Sequence, residues 1–321
     1  MLVTRPKFGY EPVPGWGRLP PGLSFGNEAT SVAVDSDDLV YVFNRGPVPV
    51  MVFDPDGNFL KGWGEGEFKL PHGIAVDPED HLYLVDVAGH RVQKRTREGE
   101  ILFTLESRAG KAGLHSGIPF NRPTDLAVHP ESGELFISDG YGNSTVHRFS
   151  PGGTHLASFG SPGSDPGEFS LPHGVCFLGH DRLVVCDREN FRLQVFTLEG
   201  EPLEQWHHYY PQAVRSVRGP DGEWRVYVGE GPPVRYQRHT PNLGCRVKVL
   251  DAAGQQVDRA GAGGWGFEDD HFTCIHGLAV DSRGDLYVAE CPYMTITRYY
   301  DEEAPPGELL SLRKWRRTSG R

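Results

Sequence analysis

The sequence predicts an all-β fold, a six-bladed β-propeller within a single domain. Three observations lead to it: a phrase that occurs three times, a repeating unit of four strands, and a high content of turn-forming residues. The histidines of the phrase are 101 and 103 residues apart, which corresponds to two units of the repeat. The three copies are LPHGIAVD with His72, LPHGVCFL with His173 and CIHGLAVD with His276.

Each repeating unit contains four strands in roughly 40–50 residues, the size of a propeller blade. The copy that begins at Phe68 has a short apolar strand, a DPED turn and a second alternating strand that ends at Asp86. A loop, a third strand, a tight turn and a fourth strand follow. The other copies begin near Ser31, Phe120, Phe169, Gln212 and Thr273.

The two ends of the chain are predicted to close the ring. In the last unit the strand-forming sequence ends after ITRYYD, so its outer strand is missing. The segment at 10–17, YEPVPGWG, resembles the fourth-strand segment FLKGWG of the first unit, so we expect the N-terminus to supply it and remove open sheet edges. Residues 1–304 then form one propeller domain, and 305–321 are predicted to be a solvated basic tail.

Composition narrows the class of protein. The chain has 41 glycines and 26 prolines among 321 residues, as expected when a turn follows every few strand residues. A net charge of −11 argues against a nucleic-acid surface. We find no apolar stretch suited to a signal peptide or a membrane span, and five cysteines without paired spacing indicate reduced thiols. We therefore expect a cytoplasmic protein that binds neither nucleic acid nor a membrane.

Propeller geometry makes the three histidines a candidate metal site. The first strand of each blade lines the channel, so equivalent positions in blades 2, 4 and 6 face one another at about 120°. The corresponding residues of the other blades are Thr30, Thr124 and roughly Ala213. Any one of the histidines can be explained as a structural residue, but three in strict alternation favour a metal. Three neutral imidazoles with an open fourth position are typical of catalytic zinc, and imidazole also accepts other divalent first-row metals.

The loops after the second strands emerge on the histidine face, because the second strand of a blade returns to where the first began. The members capable of chemistry are Arg45, Tyr141 and Arg188. The long blade 5 loop at 229–244 is either a substrate-selecting lid or an exposed basic loop. Its candidate substrate contacts are Arg235, Tyr236, Arg238 and His239.

Several motifs resemble those of the peptidyl-α-hydroxyglycine α-amidating lyases, six-bladed propellers of NHL-type repeats. The resemblance covers about residues 30–300 and is most specific in LPHG, SDGYGNS, CDREN and FNRG. It implies that the three histidines bind zinc and that Tyr141 is the base. It also implies that Arg45 and Arg188 hold the substrate carboxylate and the developing charge. The implied reaction cleaves the C–N bond of an N-acyl-α-hydroxyglycine to an amide and glyoxylate, so the resemblance implies a small-molecule or peptide substrate.

The sequence departs from this family at two positions. Gly277 stands where the family has an aspartate that helps to bind a structural calcium ion, and Gly142 stands where the secreted enzymes have a disulfide cysteine. Backbone carbonyls near Val32 and Ile74 remain available to a cation, but without the carboxylate we expect no strong calcium site. An N-carbamoyl-α-hydroxyglycine such as ureidoglycolate offers the same reacting atoms, so it is a second candidate substrate.

Two other functions remain open at the level of sequence. One is a non-catalytic NHL propeller that binds a protein partner. The other is a metal-dependent lactonase or hydrolase on the same fold, whose site is normally built from carboxylates and asparagine around calcium. Neither needs three histidines in alternate blades together with a tyrosine and two arginines.

Overall fold

The computed structural model describes residues 9–107, 110–219 and 221–318. Within these residues 24 strands form six antiparallel sheets of four strands each. The prediction of a six-bladed β-propeller is therefore confirmed. The first strands of neighbouring blades pack against one another in a closed ring around a central channel.

The first five blades each use four consecutive strands. Strand β1 (Tyr10–Pro12) belongs to the last blade. Blade 1 comprises β2 (Ala29–Val34), β3 (Val40–Asn44), β4 (Val50–Phe53) and β5 (Phe59–Trp63). Blade 2 comprises β6 (Pro71–Val76), β7 (Leu82–Asp86), β8 (Arg91–Arg95) and β9 (Ile101–Glu106). Blade 3 comprises β10 (Asp125–Val128), β11 (Leu135–Asp139), β12 (Thr145–Phe149) and β13 (His155–Phe159).

The remaining blades follow the same pattern with longer connections. Blade 4 comprises β14 (Pro172–Leu178), β15 (Arg182–Asp187), β16 (Arg192–Thr197) and β17 (Pro202–His207). Blade 5 comprises β18 (Pro211–Arg218), β19 (Trp224–Glu230), β20 (Val247–Leu250) and β21 (Gln256–Ala260). Blade 6 comprises β22 (Ile275–Val280), β23 (Leu286–Glu290), β24 (Leu312–Arg317) and β1. Short helical turns lie at Arg188–Asn190, Arg235–Gln237, Pro292–Met294 and Thr295–Tyr299.

The hydrophobic core is distributed between neighbouring blades. Tyr41 and Phe43 of β3 are fully buried and belong to one cluster with Ile74 and Leu84 of blade 2. Similar clusters join the other neighbouring blades within the described residues. Because both faces of the second strands are covered, these strands contain apolar runs such as VYVF in β3 and LYLV in β7 instead of alternating strictly.

The N-terminal strand closes the ring, as predicted. Strand β1 pairs with β24, so that Tyr10 lies opposite Arg317 and Pro12 opposite Trp315. On its other side β24 pairs with β23, where Trp315 lies opposite Leu286. Blade 6 therefore contains three strands from one end of the chain and one strand from the other.

The predicted solvated tail at 305–321 is wrong for Leu312–Arg317, which forms the third strand of blade 6. Arg313 Nε lies 2.6 Å from a carboxylate oxygen of Glu290, and Lys314 Nζ lies 3.0 Å from one of Asp285. Because these partners neutralise the basic groups within the blade, the segment can lie in a sheet and not in water. The propeller thus extends past the predicted boundary at 304, while 319–321 lie outside the described residues.

An insertion at 291–311 separates the second and third strands of blade 6. It contains the helical turn Pro292–Met294 and the π-helical turn Thr295–Tyr299, so the segment ITRYY is not a strand. Its position after a second strand places it on the histidine face of the ring. Because of this insertion, the third strand of blade 6 begins at Leu312, later in the chain than the repeat length predicts.

Candidate metal centre

The three histidines predicted from the repeat lie together at the channel axis. Each occupies the second position of its first strand: His72 in β6, His173 in β14 and His276 in β22. Their ring centroids are 4.9 Å (72–173), 4.5 Å (72–276) and 4.9 Å (173–276) apart. One ligand nitrogen from each lies within 4.8 Å of the others, and all three residues are buried. They form a cluster that can bind a metal ion.

Backbone carbonyls of the neighbouring blades orient the three imidazoles. The Nδ1 atoms of His72, His173 and His276 lie 2.5 Å, 2.8 Å and 2.7 Å from the carbonyl oxygens of Thr124, Gln212 and Thr30. A carbonyl oxygen only accepts hydrogen bonds, so each Nδ1 carries the proton and each Nε2 has a free lone pair. Histidines that bind a metal through one ring nitrogen commonly donate the other N–H to a backbone carbonyl in this way. The blade 5 counterpart is Gln212, one residue before the predicted Ala213.

The three imidazoles are neutral, and one of their Nε2 atoms has no hydrogen-bond partner among the described residues; both properties suit the binding of a metal ion. Burial, and after it the charge of Arg45, lowers the pKa of His276 to about 3. Burial also lowers the pKa values of His72 and His173 well below their ordinary value, so the rings are neutral. His276 Nε2 is buried without a hydrogen-bond partner among the described residues. Neutral nitrogens that converge without donors of their own require a shared cation or a proton donor.

Tyr141 is the side chain that leans over the histidine cluster. Its hydroxyl lies 3.2 Å from Nε2 of His72 and 3.2 Å from Nε2 of His173. The flanking glycines allow this approach, because a Cβ at Gly140 would lie 2.0 Å from the carbonyl oxygen of Pro172. The loop after β11 therefore lies directly against the residue that precedes His173. The phenol therefore lies on the Nε2 side of the cluster.

Arg45 reaches the same centre from blade 1. Its Nη1 forms an ion pair with Glu28, and its Nε lies 3.4 Å from the carbonyl oxygen of Pro71, the residue before His72. Glu28 is itself held by the backbone N–H of Met294, which lies 2.7 Å from its other oxygen. The blade 6 insertion thus orients the carboxylate that orients Arg45. Glu28 was not predicted, because it precedes the first strand of blade 1 and belongs to no repeated motif.

Arg188 occupies the opposite side of the centre, between two aromatic rings. Its guanidinium carbon lies 5.7 Å from the ring centroid of Tyr141 and 5.1 Å from that of Tyr210. Its Nε and Nη2 lie 3.1 Å and 2.9 Å from Oε1 of Glu189, which also accepts from the Tyr210 hydroxyl at 3.0 Å. Within the part of the chain that the structure describes, Nη1 of Arg188 forms no hydrogen bond. Tyr210 and Glu189 were not predicted, although Glu189 lies within the DREN motif.

Comparison with known proteins places the chain among NHL-repeat proteins. A family model for the NHL repeat matches residues 68–94, 120–149 and 169–196. The peptidyl-α-hydroxyglycine α-amidating lyase 1 of Drosophila melanogaster is 30% identical over 308 residues, which cover 86% of this chain and 53% of that protein. NHL repeat-containing protein 3 of Homo sapiens is 32% identical over 246 residues, which cover 68% and 69%. This chain belongs to the family of NHL repeat-containing propellers.

Longer relatives contain the same unit. The peptidylglycine α-amidating monooxygenase of Rattus norvegicus is 35% identical over 318 residues. The match covers 85% of this chain but 30% of that protein, so the chain spans about a third of its length. Among solved structures, a streptogramin B lyase aligns with a TM-score of 0.58 over 96% of this chain and 97% of that one, at 11% identity. At that identity the likeness concerns the fold alone.

The blade 5 loop of this NHL propeller is anchored away from the histidines. Arg238 forms a 2.5 Å ion pair with Glu302, and its guanidinium carbon lies 3.9 Å from the ring centroid of Trp265. Arg235 lies at 4.0 Å from Asp301, and Tyr236 is 86% exposed. His239 and Arg238 line an outer groove of about 680 Å³ between blades 5 and 6. The ion pairs of Arg235 and Arg238 are with the blade 6 insertion, and no contact among the described residues joins the four candidate residues to the three histidines.

Three further observations concern a second group of potential metal ligands, the cysteines and membrane-spanning helices. Asp77, Glu79 and His81 form a second group of potential ligands, at a turn of blade 2. Asp77 there is already paired with Lys94 at 2.8 Å and accepts the backbone N–H of His81. All five cysteines are buried and free. Among the described residues, no helix has the length and apolar character needed to cross a bilayer.

Proposed function

We propose that this protein is a metal-dependent carbon–nitrogen lyase that cleaves an N-acyl-α-hydroxyglycine to a primary amide and glyoxylate. The observation that carries the proposal is the position of the Tyr141 hydroxyl, 3.2 Å from the Nε2 atoms of two of the three clustered histidines. Two arginines flank that position from blades 1 and 4. The relationship to the Drosophila melanogaster amidating lyase supports the same reaction class.

His72, His173 and His276 would hold the metal ion through their Nε2 atoms. Zinc is the first choice because three imidazoles and an open position are its common catalytic arrangement, and another divalent first-row metal is the alternative. Such an ion would lower the pKa of a bound hydroxyl group and orient it. The carbonyls of Thr30, Thr124 and Gln212 would keep the imidazoles in the tautomer that this requires.

In the proposed reaction Tyr141, as the phenolate, removes the proton from the substrate hydroxyl. The electron pair of that O–H bond forms the aldehyde C=O of glyoxylate, and the C–N bond breaks with its electrons on the amide nitrogen. That nitrogen gains the proton that Tyr141 had taken, which restores the phenolate, and leaves as the primary amide. No water is consumed, so the site needs no hydrolytic nucleophile. The guanidinium carbon of Arg188 lies 5.7 Å from the centroid of the Tyr141 ring, so the arginine stands next to the proposed base.

Arg45 and Arg188 are proposed to bind the substrate carboxylate. Glu28 accepts a hydrogen bond from Nη1 of Arg45, and Glu189 accepts from Nε and Nη2 of Arg188. These bonds hold the two guanidiniums in place, and Nη2 of Arg45 and Nη1 of Arg188 are proposed to bind the substrate. A fixed, planar donor suits a carboxylate better than the ammonium of lysine does. The carboxylate end of glyoxylate would therefore lie between blades 1 and 4.

Replacement of Arg188 by lysine (Arg188→Lys) is expected to lower kcat/KM for an N-acyl-α-hydroxyglycine by about 10- to 100-fold, because a charged hydrogen bond contributes about 1.5–3 kcal/mol. Steady-state measurement of glyoxylate checks this. Arg182→Lys, at the other end of strand β15, is the matched control and should retain wild-type kinetics. Equal kcat/KM values for Arg188→Lys and the wild type would show that Arg188 does not bind the substrate.

The aromatic side chains near Arg188, at the channel entrance on the histidine face, favour a substrate whose nitrogen carries an acyl group over one that carries a carbamoyl group. Tyr210 stacks near Arg188, and the Tyr299 ring lies 6.3 Å from the Tyr210 ring. Phe191 adds a third aromatic ring, 5.7 Å from Tyr210. Tyr299 is 36% exposed and belongs to the π-helical turn of blade 6. An apolar acyl group would gain buried area against these rings, whereas the small polar NH₂ of an N-carbamoyl substrate would not.

Tyr299→Ala is expected to lower kcat/KM for N-benzoyl-α-hydroxyglycine by about 5- to 20-fold, the effect of losing roughly 40–70 Å² of apolar contact. The value for ureidoglycolate should change less than about twofold, since that substrate does not reach the rings. Tyr236→Ala, on the exposed blade 5 loop, serves as the control for both substrates. Ureidoglycolate as the better substrate of the wild type, with no effect of Tyr299→Ala, would reverse this assignment.

The alternative function is that of a binding module, a non-catalytic NHL propeller that binds a protein partner. The similarity to NHL repeat-containing protein 3 of Homo sapiens is compatible with it. Metal analysis of protein purified without added metal separates the two functions. The lyase proposal expects about one zinc or other first-row metal ion per chain and glyoxylate release from a panel of N-acylated and N-carbamoylated α-hydroxyglycines. Protein that is free of metal and inactive on the whole panel would favour the binding module.

A further inference from the structure

Arg215 lies across the central channel next to the three histidines. It belongs to strand β18 of blade 5, and its Nη1 lies 2.8 Å from Oδ2 of Asp125 in blade 3. Its Nη2 lies 3.3 Å from the carbonyl oxygen of Ile74 in blade 2, and Nη1 lies 3.4 Å from that of Val175 in blade 4. Blade 2 stands opposite blade 5 in a ring of six, so the guanidinium lies near the axis.

This ion pair separates the histidine cluster from the other end of the channel. On one side, a cavity of about 10 Å³ is lined by Arg215, Asp125 and all three histidines. On the other side, Arg215 borders an apolar cavity of about 340 Å³. The side chains of Arg215 and Asp125 are 19% and 10% exposed. A largely buried charge of either sign requires a partner, and each residue supplies one to the other.

The oxygen atoms around the guanidinium are of the kind that bind a hard cation. One carboxylate and several backbone carbonyls, among them those of Ile74, Val175 and Val214, face Arg215. Calcium is bound in proteins by such carboxylate and carbonyl oxygens. Here the positive charge that these oxygens require is provided by an arginine side chain.

Position 277, where the resemblance would put a calcium-binding carboxylate, cannot supply one. A Cβ at Gly277 would lie 2.5 Å from Cα of Ser31 and 3.0 Å from the carbonyl oxygen of Thr30. The carboxylate at the equivalent position of the ring is Asp125, which directly follows Thr124 as Gly277 follows His276. That carboxylate comes from blade 3 and is already neutralised by Arg215.

We propose that the Arg215–Asp125 pair takes the place of a structural calcium ion and joins blades 2 to 5 beneath the histidines. Ile74 and Val175 each lie two residues after a histidine of the cluster, and Asp125 follows the residue whose carbonyl accepts from His72. The pair therefore fixes the backbone that carries two of the three proposed metal ligands. This inference does not depend on the lyase proposal, because its readouts are thermal stability and calcium content.

The first test uses the wild-type protein in calcium-free buffer and with 5 mM CaCl₂, about the concentration that saturates a weak site. The protein should contain no stoichiometric calcium, and its Tm should be the same in both buffers. A structural site occupied at 100 times its Kd would raise the Tm by about 5 °C or more. A calcium-dependent Tm of the wild type would overturn the proposal, whatever the variants do.

The second test removes the guanidinium. Arg215→Ala leaves the Asp125 carboxylate and the carbonyls without their cation, and we expect its Tm in calcium-free buffer to fall by roughly 5–10 °C. CaCl₂ should restore part of that loss in Arg215→Ala but not in Arg215→Ala/Asp125→Asn, which lacks the carboxylate. Arg225→Ala, which breaks an exposed ion pair in the same blade, is the control and should change little. The absence of any calcium response in Arg215→Ala would reduce the pair to an ordinary salt bridge and contradict the inference.

Discussion

His276→Ala is expected to remove the metal ion from the purified protein and to abolish glyoxylate formation. The substitution deletes one of three converging Nε2 atoms, the one without a hydrogen-bond partner among the described residues. Two imidazoles alone hold a divalent ion far more weakly than three, so bound metal should fall from about one ion per chain to less than about 0.1. Elemental analysis after gel filtration measures this, and circular dichroism confirms that the variant is folded.

His81→Ala is the informative control for the metal experiment. His81 belongs to the other three-residue group of potential ligands, with Asp77 and Glu79, at the far turn of blade 2. We expect this variant to keep its metal and its activity, because Asp77 is already neutralised by Lys94. Loss of metal from His81→Ala with retention in His276→Ala would place the ion outside the channel and remove the basis of the proposed mechanism.

Tyr141→Phe is expected to lower kcat by about 100-fold or more, the usual contribution of a general base. The ring remains, and only the hydroxyl 3.2 Å from His72 and His173 is lost. The metal content should stay at about one ion per chain, because the phenol is not one of the three proposed ligands. Stopped reactions analysed for glyoxylate give the rate.

The control for this variant is Tyr293→Phe, in the blade 6 insertion, where the tyrosine is 46% exposed. It should retain the wild-type rate. If Tyr141→Phe also turns over at the wild-type rate, the phenol only packs against the mouth of the channel, and another group must take the proton.

The repeat made the fold and the histidine cluster predictable. In a propeller, equivalent positions of alternate blades face one another across the channel. The spacing of His72, His173 and His276 along the sequence therefore predicts that the three side chains lie close together. The order of strands within a blade likewise put the loops of Arg45, Tyr141 and Arg188 on the same face. Both inferences use only local strand order and symmetry, which the sequence repeats several times.

Features that occur once in the chain could not be predicted in this way. Strand β24 follows an insertion unique to blade 6, and its basic residues are paired with Glu290 and Asp285 of the neighbouring strand. The partners of the arginines are equally irregular, since Glu28 precedes the first blade and is positioned by Met294 from the last. Contacts of this kind depend on the closed ring and leave no periodic signal.

The Arg215–Asp125 pair illustrates the same limit. The substitution of an aspartate by Gly277 was visible in the sequence and argued against calcium. The cation is the Arg215 side chain of blade 5, and its carboxylate partner is Asp125 of blade 3. The missing carboxylate would belong to position 277 in blade 6. Only the geometry of the channel connects them.

The most direct test of the proposed chemistry is the identity of the acyl product from N-benzoyl-α-hydroxyglycine. Glyoxylate alone does not decide the reaction, because hydrolysis of the amide bond would release α-hydroxyglycine, which decomposes to glyoxylate and ammonia. Mass spectrometry of the products, with His276→Ala as the blank, separates the two reactions. A lyase at the histidine centre yields benzamide in equal amount to glyoxylate, whereas benzoic acid and free ammonia would contradict the account.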